Sequence, residues 1–207
     1  MSRSTRVKIV VDGMTGVGKT SLVNILSEEL QLTPFQEIFE DKNKLLYKFF
    51  NDRHKWAFPM QVNFLTNRFQ QYIEASSIGD AIMDRSIYSD NIFARMYLEE
   101  GYLTPEEYDV YKNLLQTLLE QISPPALMVY LKVSSEEAVR RIHSRGRTEE
   151  LKVEDKYWIK LNEFYDEHYK NYRGKLLSLD VNKLDFVHNE NEREYVLHQI
   201  FNFLDNK

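Results

Sequence analysis

Three stretches of this sequence carry side chains whose types and spacing suit the handling of phosphate. The first is Gly13-Met14-Thr15-Gly16-Val17-Gly18-Lys19-Thr20, which fits the Walker A pattern of a glycine, four free positions, then Gly-Lys-Ser/Thr. Glycines let the backbone turn its N–H groups inward to cradle phosphate oxygens, and the N-terminus of a following helix adds a favourable dipole. Lys19 supplies a compact positive charge for the β- and γ-phosphates of ATP, and Thr20 a hydroxyl for Mg2+; Ser21 is counted with them. Three of the chain's seven glycines fall in these eight residues. That clustering, between an apolar run and a helical one, argues against a glycine-rich turn that binds nothing.

The second stretch is a pair of acids at expected strand ends, where ligands of open α/β sheets gather. Glu37 lies in the second expected strand, and Asp84 closes the third, followed by Arg85. Phosphoryl transfer to a hydroxyl asks for one carboxylate to take its proton and another to hold magnesium. Glu40 and Asp41 are close enough to compete with Glu37. A charged pair closing an apolar run is costly unless used or paired, which favours Asp84-Arg85. The third stretch crowds Arg140, Arg141, Arg145 and Arg147 into an acidic chain. The spacing 141, 145 repeats on one helical face before the stretch breaks at Gly146. It predicts a lid, from Arg141 to about Val153, whose arginines close over the transferring phosphoryl oxygens. A solvated helix face is the plainer reading of such a run.

These groups must be held by alternating strands and helices, the pattern of a parallel sheet with helices on both faces. Strands are expected at Val7–Val11, Phe35–Phe39, Ala81–Met83, Ala126–Val133 and Leu176–Val181. Helices are expected at Lys19–Leu30, Trp56–Ile73, after Thr104-Pro105-Glu106-Glu107, after a capping box at Ser134–Glu137, at Tyr157–Tyr172 and at Glu192–Leu204. Gln61 and Arg68, seven apart on the Trp56 helix, share nearly one face. A glutamine can bond a nucleobase edge in two prongs, and an arginine can orient a carboxylate. Trp56, Phe58 and Phe93 could line a slot for the base or simply be core.

At 207 residues with 43% hydrophobic and 29% charged residues the chain reads as one domain, 1–207, and as globular rather than disordered. A net charge of −5 argues against a nucleic-acid surface. No cysteine is present, so disulfides and thiolate metal sites are excluded. No apolar run approaches a membrane span and no signal-peptide pattern opens the chain, so a soluble, cytoplasmic protein is expected. Asn182-Lys183-Leu184-Asp185 matches the guanine-reading motif of GTPases. The companion Asp-x-x-Gly is missing, because no glycine in the chain has an aspartate three residues before it.

With these pieces in place the chain resembles the deoxynucleoside kinase family, from the phosphate loop to the last helix. The marks are the Walker loop, Trp56-Ala-Phe-Pro-Met-Gln61 with Arg68, Asp84-Arg85-Ser86-Ile87-Tyr88-Ser89-Asp90, Arg141-x-x-x-Arg145-Gly146-Arg147-x-Glu149-Glu150, and Leu179-Asp180-Val181-Asn182. Thymidylate kinases share the fold but usually follow the Asp-Arg pair with an aromatic residue, where this chain has Ser86. The resemblance implies a P-loop kinase fold with a five-stranded parallel sheet, ATP as donor and Mg2+ held by Thr20 and Asp84. It implies Glu37 as the base for a nucleoside 5′-hydroxyl, with Arg85 holding that carboxylate and the 5′-oxygen. Gln61, Arg68 and Asp90 would read the base, with Trp56 and Phe93 beside it. Glu150 would touch the 3′-hydroxyl, and Asp185 and Phe186 would line the adenine end. A family tyrosine aligns with Phe50, so Tyr47 is the candidate substitute. Ile38 stands where the family usually has proline, and Asn43-Lys44 where it has Asn-Pro. A purine deoxynucleoside is the expected substrate, and a homodimer, or a heterodimer with a related subunit, the expected assembly. The rivals are a nucleoside monophosphate kinase and a non-catalytic nucleotide-binding subunit.

Overall fold

The computed structural model describes residues 6–37 and 44–205. Ile38, Glu40, Asp41 and Asn43 lie outside the described residues, as does the side chain of Glu149. The short β-branched run near the N-terminus forms β1 (Ile9–Gly13), buried at every position, as a strand covered on both faces requires. It leads through the glycine-rich loop into α1 (Lys19–Leu30), then β2 (Thr33–Phe35), α2 (Leu45–Asn51), α3 (Arg53–Ile78) and β3 (Ala81–Asp84). A single 3-10 turn at Ile87–Ser89 precedes α4 (Asn91–Glu99) and α5 (Pro105–Leu119). Next come β4 (Leu127–Lys132), α6 (Ser135–Arg145), α7 (Thr148–Leu151), α8 (Asp155–Lys170), β5 (Leu176–Asp180) and α9 (Glu190–Asp205).

The strands form one parallel sheet in the order β2-β3-β1-β4-β5. Chain order reverses beside β1, whose neighbours are β3 and β4, and such a switch point opens a crevice at the carboxyl ends of the strands. The phosphate loop leaves β1 at this point. Val11 is in register with Asp84 across the β1–β3 pair, and Gly13 with Leu131 across β1–β4. The sheet thus delivers the loop, the Asp84-Arg85 pair and the chain leaving β2 to one end.

Four local expectations need correction. The second strand ends at Phe35, so Glu37 stands on the segment leaving it and not within it. The Trp56 helix runs from Arg53 to Ile78, capped by the Asp52 side chain on the Lys55 N–H at 3.2 Å. Pro59 lies inside it without ending it, although at the seventh position its ring forgoes the bond to the Lys55 carbonyl that an N–H there would make. Helices α2 and α4 were not among the expected elements. At α6 the Ser134 hydroxyl accepts from the Glu137 N–H at 3.3 Å, but the reciprocal half of the box is missing. Ser134 N–H donates instead to Asn182 Oδ1 at 2.8 Å, and the Glu137 carboxylate takes Arg140 and Arg141. At α5, by contrast, both halves of the Thr104–Glu107 box are formed.

Candidate active site

The phosphate loop is anchored by its apolar members. Met14 and Val17 are buried, and each such side chain contributes roughly 1.5–3 kcal/mol on burial, enough to hold the loop in one shape. Gly18 has φ +104, and a Cβ there would sit 2.7 Å from the Phe186 ring; at Gly13 it would sit 2.6 Å from the Leu131 carbonyl. Both positions therefore exclude a side chain. Lys19 is buried and its Nζ donates to the Met14 carbonyl at 2.9 Å. Burial, and then the Arg85 charge, lower its pKa to about 8 against the pull of Asp84, Glu37 and Asp12. Ser21 follows in the first turn of α1, half-buried.

Asp84 is buried at the end of β3, where its Oδ2 accepts from the Thr20 hydroxyl at 2.5 Å. Its Oδ1 is buried and finds no partner among the described residues. Burial raises the Asp84 pKa, opposed by Lys19 and Thr20. Asp12, which the sequence did not single out, is fully buried beneath the loop; its Oδ1 accepts the Gly13 N–H at 2.7 Å and its Oδ2 has no hydrogen-bond partner among the described residues.

Beyond the loop lies a cavity of about 300 Å³, within the range of small-molecule sites. Thr15, Glu37 and Arg85 line one part of it, and Gln61, Phe64, Arg68 and Phe93 another. One Glu37 oxygen accepts from Arg68 Nη2 at 2.8 Å and from Arg85 Nη1 at 3.2 Å. Burial would raise the Glu37 pKa, but Arg85, Arg68 and Lys19 together bring it down to about 2. Arg85 adopts a left-handed backbone, φ +64, uncommon for a residue with a side chain. Its N–H is tied to the Val11 carbonyl at 2.9 Å, and its guanidinium lies 5.3 Å over the Phe93 ring. The Gln61 amide is buried against the cavity and makes no hydrogen bond among the described residues.

Several expected site residues sit elsewhere. Asp90 does not line the cavity; buried, it ion-pairs with Arg68 and holds it from behind. Tyr47 turns outward, 69% exposed, because the apolar face of α2 packs inward through Phe49, leaving Leu46, Phe49 and Phe50 at the cavity. Trp56 is absent from the lining and carries the Lys48 ammonium 4.6 Å from its ring. Phe186 is buried under Gly18, so its ring offers no face to an adenine. The Asp185 carboxylate accepts the His188 N–H at 3.1 Å, a turn-capping use of the GTPase-like tetrapeptide.

The arginine stretch divides. Arg141 is a bracket: it bonds Glu137 at 2.7 Å and the carbonyls of Val17 and Val181 at 3.4 and 2.5 Å. Arg145 pairs with both Glu150 oxygens at 2.6 Å, and Arg147 lies 3.7 Å from Glu150. Glu150 is thereby held at the cavity wall. Replacing Arg141 by leucine is expected to lower stability by roughly 2 kcal/mol, the scale of a charged hydrogen-bond set, read as a shifted urea midpoint. Unchanged stability with reduced turnover would make Arg141 a phosphate contact instead.

Comparison with known proteins agrees with this fold. The family model described as deoxynucleoside kinase matches residues 9–205. The chain belongs to the deoxynucleoside kinase family. It is 37% identical over 202 residues to a deoxyguanosine kinase of Lactobacillus johnsonii, covering 93% of this chain and 90% of the relative. It is 32% identical over 202 residues to a deoxyadenosine kinase of Lactobacillus acidophilus, covering 93% and 94%. A solved deoxyadenosine kinase from M. mycoides, with dCMP and a flexible dCDP as products, superposes with a TM-score of 0.81 at 29% identity, over 95% of this chain and 100% of that one. Like other deoxynucleoside kinases, this chain is a phosphotransferase on a P-loop kinase fold. Among its described residues no helix is long and apolar enough to cross a membrane.

Sequence reasoning missed Asp12, Arg53, Tyr97, Tyr157 and Trp158 as parts of the site. Asp12 had a usable signal, a charge inside an apolar strand. The aromatic residues had none that separates lining from core.

Proposed function

We propose that this deoxynucleoside kinase transfers the γ-phosphoryl group of ATP to the 5′-hydroxyl of a purine 2′-deoxynucleoside. The observation that carries the reading is Glu37, gripped by Arg68 and Arg85 where the nucleoside cavity meets the phosphate loop. Glu37 takes the 5′-hydroxyl proton, the freed oxygen bonds the γ-phosphorus, and the bond from that phosphorus to the β,γ-bridging oxygen breaks to leave ADP. Lys19 and the loop amides meet the charge on the phosphoryl oxygens. Arg85 steadies Glu37 and the attacking oxygen, while Arg145 and Arg147 form the lid.

The residues present suit magnesium. No three His, Cys, Asp or Glu side chains cluster as a cage among the described residues, but the unpartnered Asp84 oxygen and the Thr20 hydroxyl form an all-oxygen donor pair. Magnesium typically takes one or two carboxylates and completes its shell with phosphate and water. Bound there, it would neutralise phosphate charge.

The free Gln61 amide presents a donor and an acceptor that match the N6/N7 edge of adenine, and arginine suits the O6/N7 edge of guanine. The relatives named deoxyguanosine and deoxyadenosine kinases support the purine assignment. The test is a panel of four deoxynucleosides and their monophosphates, each incubated with ATP and magnesium and resolved by chromatography. Conversion of deoxyadenosine or deoxyguanosine to its monophosphate is expected. Phosphorylation of monophosphates alone would overturn the reading.

A further inference from the structure

Arg85 carries more of the proposed reaction than its own stretch of chain can aim. Its backbone is left-handed, φ +64, so the strand before it does not dictate where the side chain goes. Its bond to Glu37 spans 3.2 Å, long for a charge-assisted contact. Its Nε is buried and finds no partner among the described residues. The guanidinium must therefore be steadied by what packs against it. Two rings do so. Phe93 of α4 and Tyr165 of α8 meet edge to face, 6.4 Å between centroids at 89°. The guanidinium carbon sits in the corner they make, 5.3 Å from the Phe93 ring and 5.8 Å from that of Tyr165, both within cation–π range.

Tyr165 is fully buried and does not line the nucleoside cavity. Core packing on α8 accounts for its ring but not for its hydroxyl. That oxygen is buried with no hydrogen-bond partner among the described residues. An unpaired buried hydroxyl is destabilising, and a phenylalanine would fill the same space without it. Burial raises the Tyr165 pKa, and Arg85 is the strongest of the charges acting on the phenol, ahead of Asp12 and Glu37. The hydroxyl thus lies in the field of that cation above all. We propose that Tyr165 is a positioning residue for Arg85: its ring face and its hydroxyl dipole keep the guanidinium on Glu37 and the 5′-oxygen.

The inference rests on the proposed function, and the test separates the two. Tyr165→Phe keeps the ring and removes the dipole. With ATP and a purine deoxynucleoside it is expected to slow the transfer step ~10-fold in single-turnover assays. The Kd of the deoxynucleoside should stay within about threefold, because the contact acts on a group that meets the transition state. The urea midpoint should stay equal or rise, since an unpaired buried hydroxyl has gone. In an Arg85→Lys background, where the planar guanidinium is absent, the same change should cost less than about twofold. Three results would each overturn the role of Tyr165 and leave the proposed function standing: wild-type rates in Tyr165→Phe, a slower step with a lowered urea midpoint, or equal slowing in both backgrounds. A wild-type protein that phosphorylates no deoxynucleoside would overturn both.

Discussion

Glu37→Gln is expected to lower turnover by ~10²–10⁴-fold while ATP affinity stays within about threefold. Glutamine keeps the shape and can still accept from Arg68 and Arg85, but it cannot receive the substrate proton. Because the two guanidinium groups and Lys19 hold the carboxyl at about 2, Glu37 is ionised throughout the usual assay range. A depressed carboxyl contributes its charge interactions above its unfolded value and loses them only as pH falls through about 2. The kcat/KM profile of the free enzyme should then show no acid limb from this group between about pH 5 and 8. So weak a base suffices because a loose phosphoryl-transfer transition state asks little of the nucleophile until late. Single-turnover rates and equilibrium binding check the two halves. Wild-type turnover in the variant would move proton transfer to another group.

Lys19→Met should cost ~10²–10³-fold in turnover and weaken triphosphate binding as well. Its pH signature is specific. Burial and the neighbouring Arg85 place the Lys19 ammonium at about 8, and phosphate oxygens favour the charged form. Triphosphate affinity should be full below about pH 8 and fall above it, where binding must first restore a proton. Calorimetry across that range would show the fall in the wild-type protein and its absence in Lys19→Arg, whose guanidinium stays protonated. Affinity flat through pH 9–10 in the wild type would mean that Lys19 does not meet the phosphates.

Much of the fold was legible because its signals are local. The β-branched run before the loop, the four-residue apolar period of α1 and the Thr104 box each name an element without outside help. Asp84-Arg85 and the Gln61–Arg68 spacing were legible for the same reason, and the structure brings all but Asp84 onto one cavity and sets Asp84 beside Thr20. What failed depends on packing between elements. Nothing in the sequence tells that Asp90 stands behind Arg68 and not beside it, or that Tyr47 loses its place to Phe50. The arginine run was readable as charge, but which carbonyls Arg141 clasps follows from where α6 meets the loop and the end of β5.

Asp90, Arg68, Glu37 and Arg85 form an unbroken file of alternating charge. On the proposed function, nucleobase selection by Arg68 and acceptance of the sugar's proton by Glu37 are therefore wired to the same ions. Altering base preference through Arg68 or Asp90 would retune the carboxylate two links away, so new selectivity and catalytic speed would have to be evolved together. On the same proposal Gln61, which stands outside that file, is the position where preference would drift on its own.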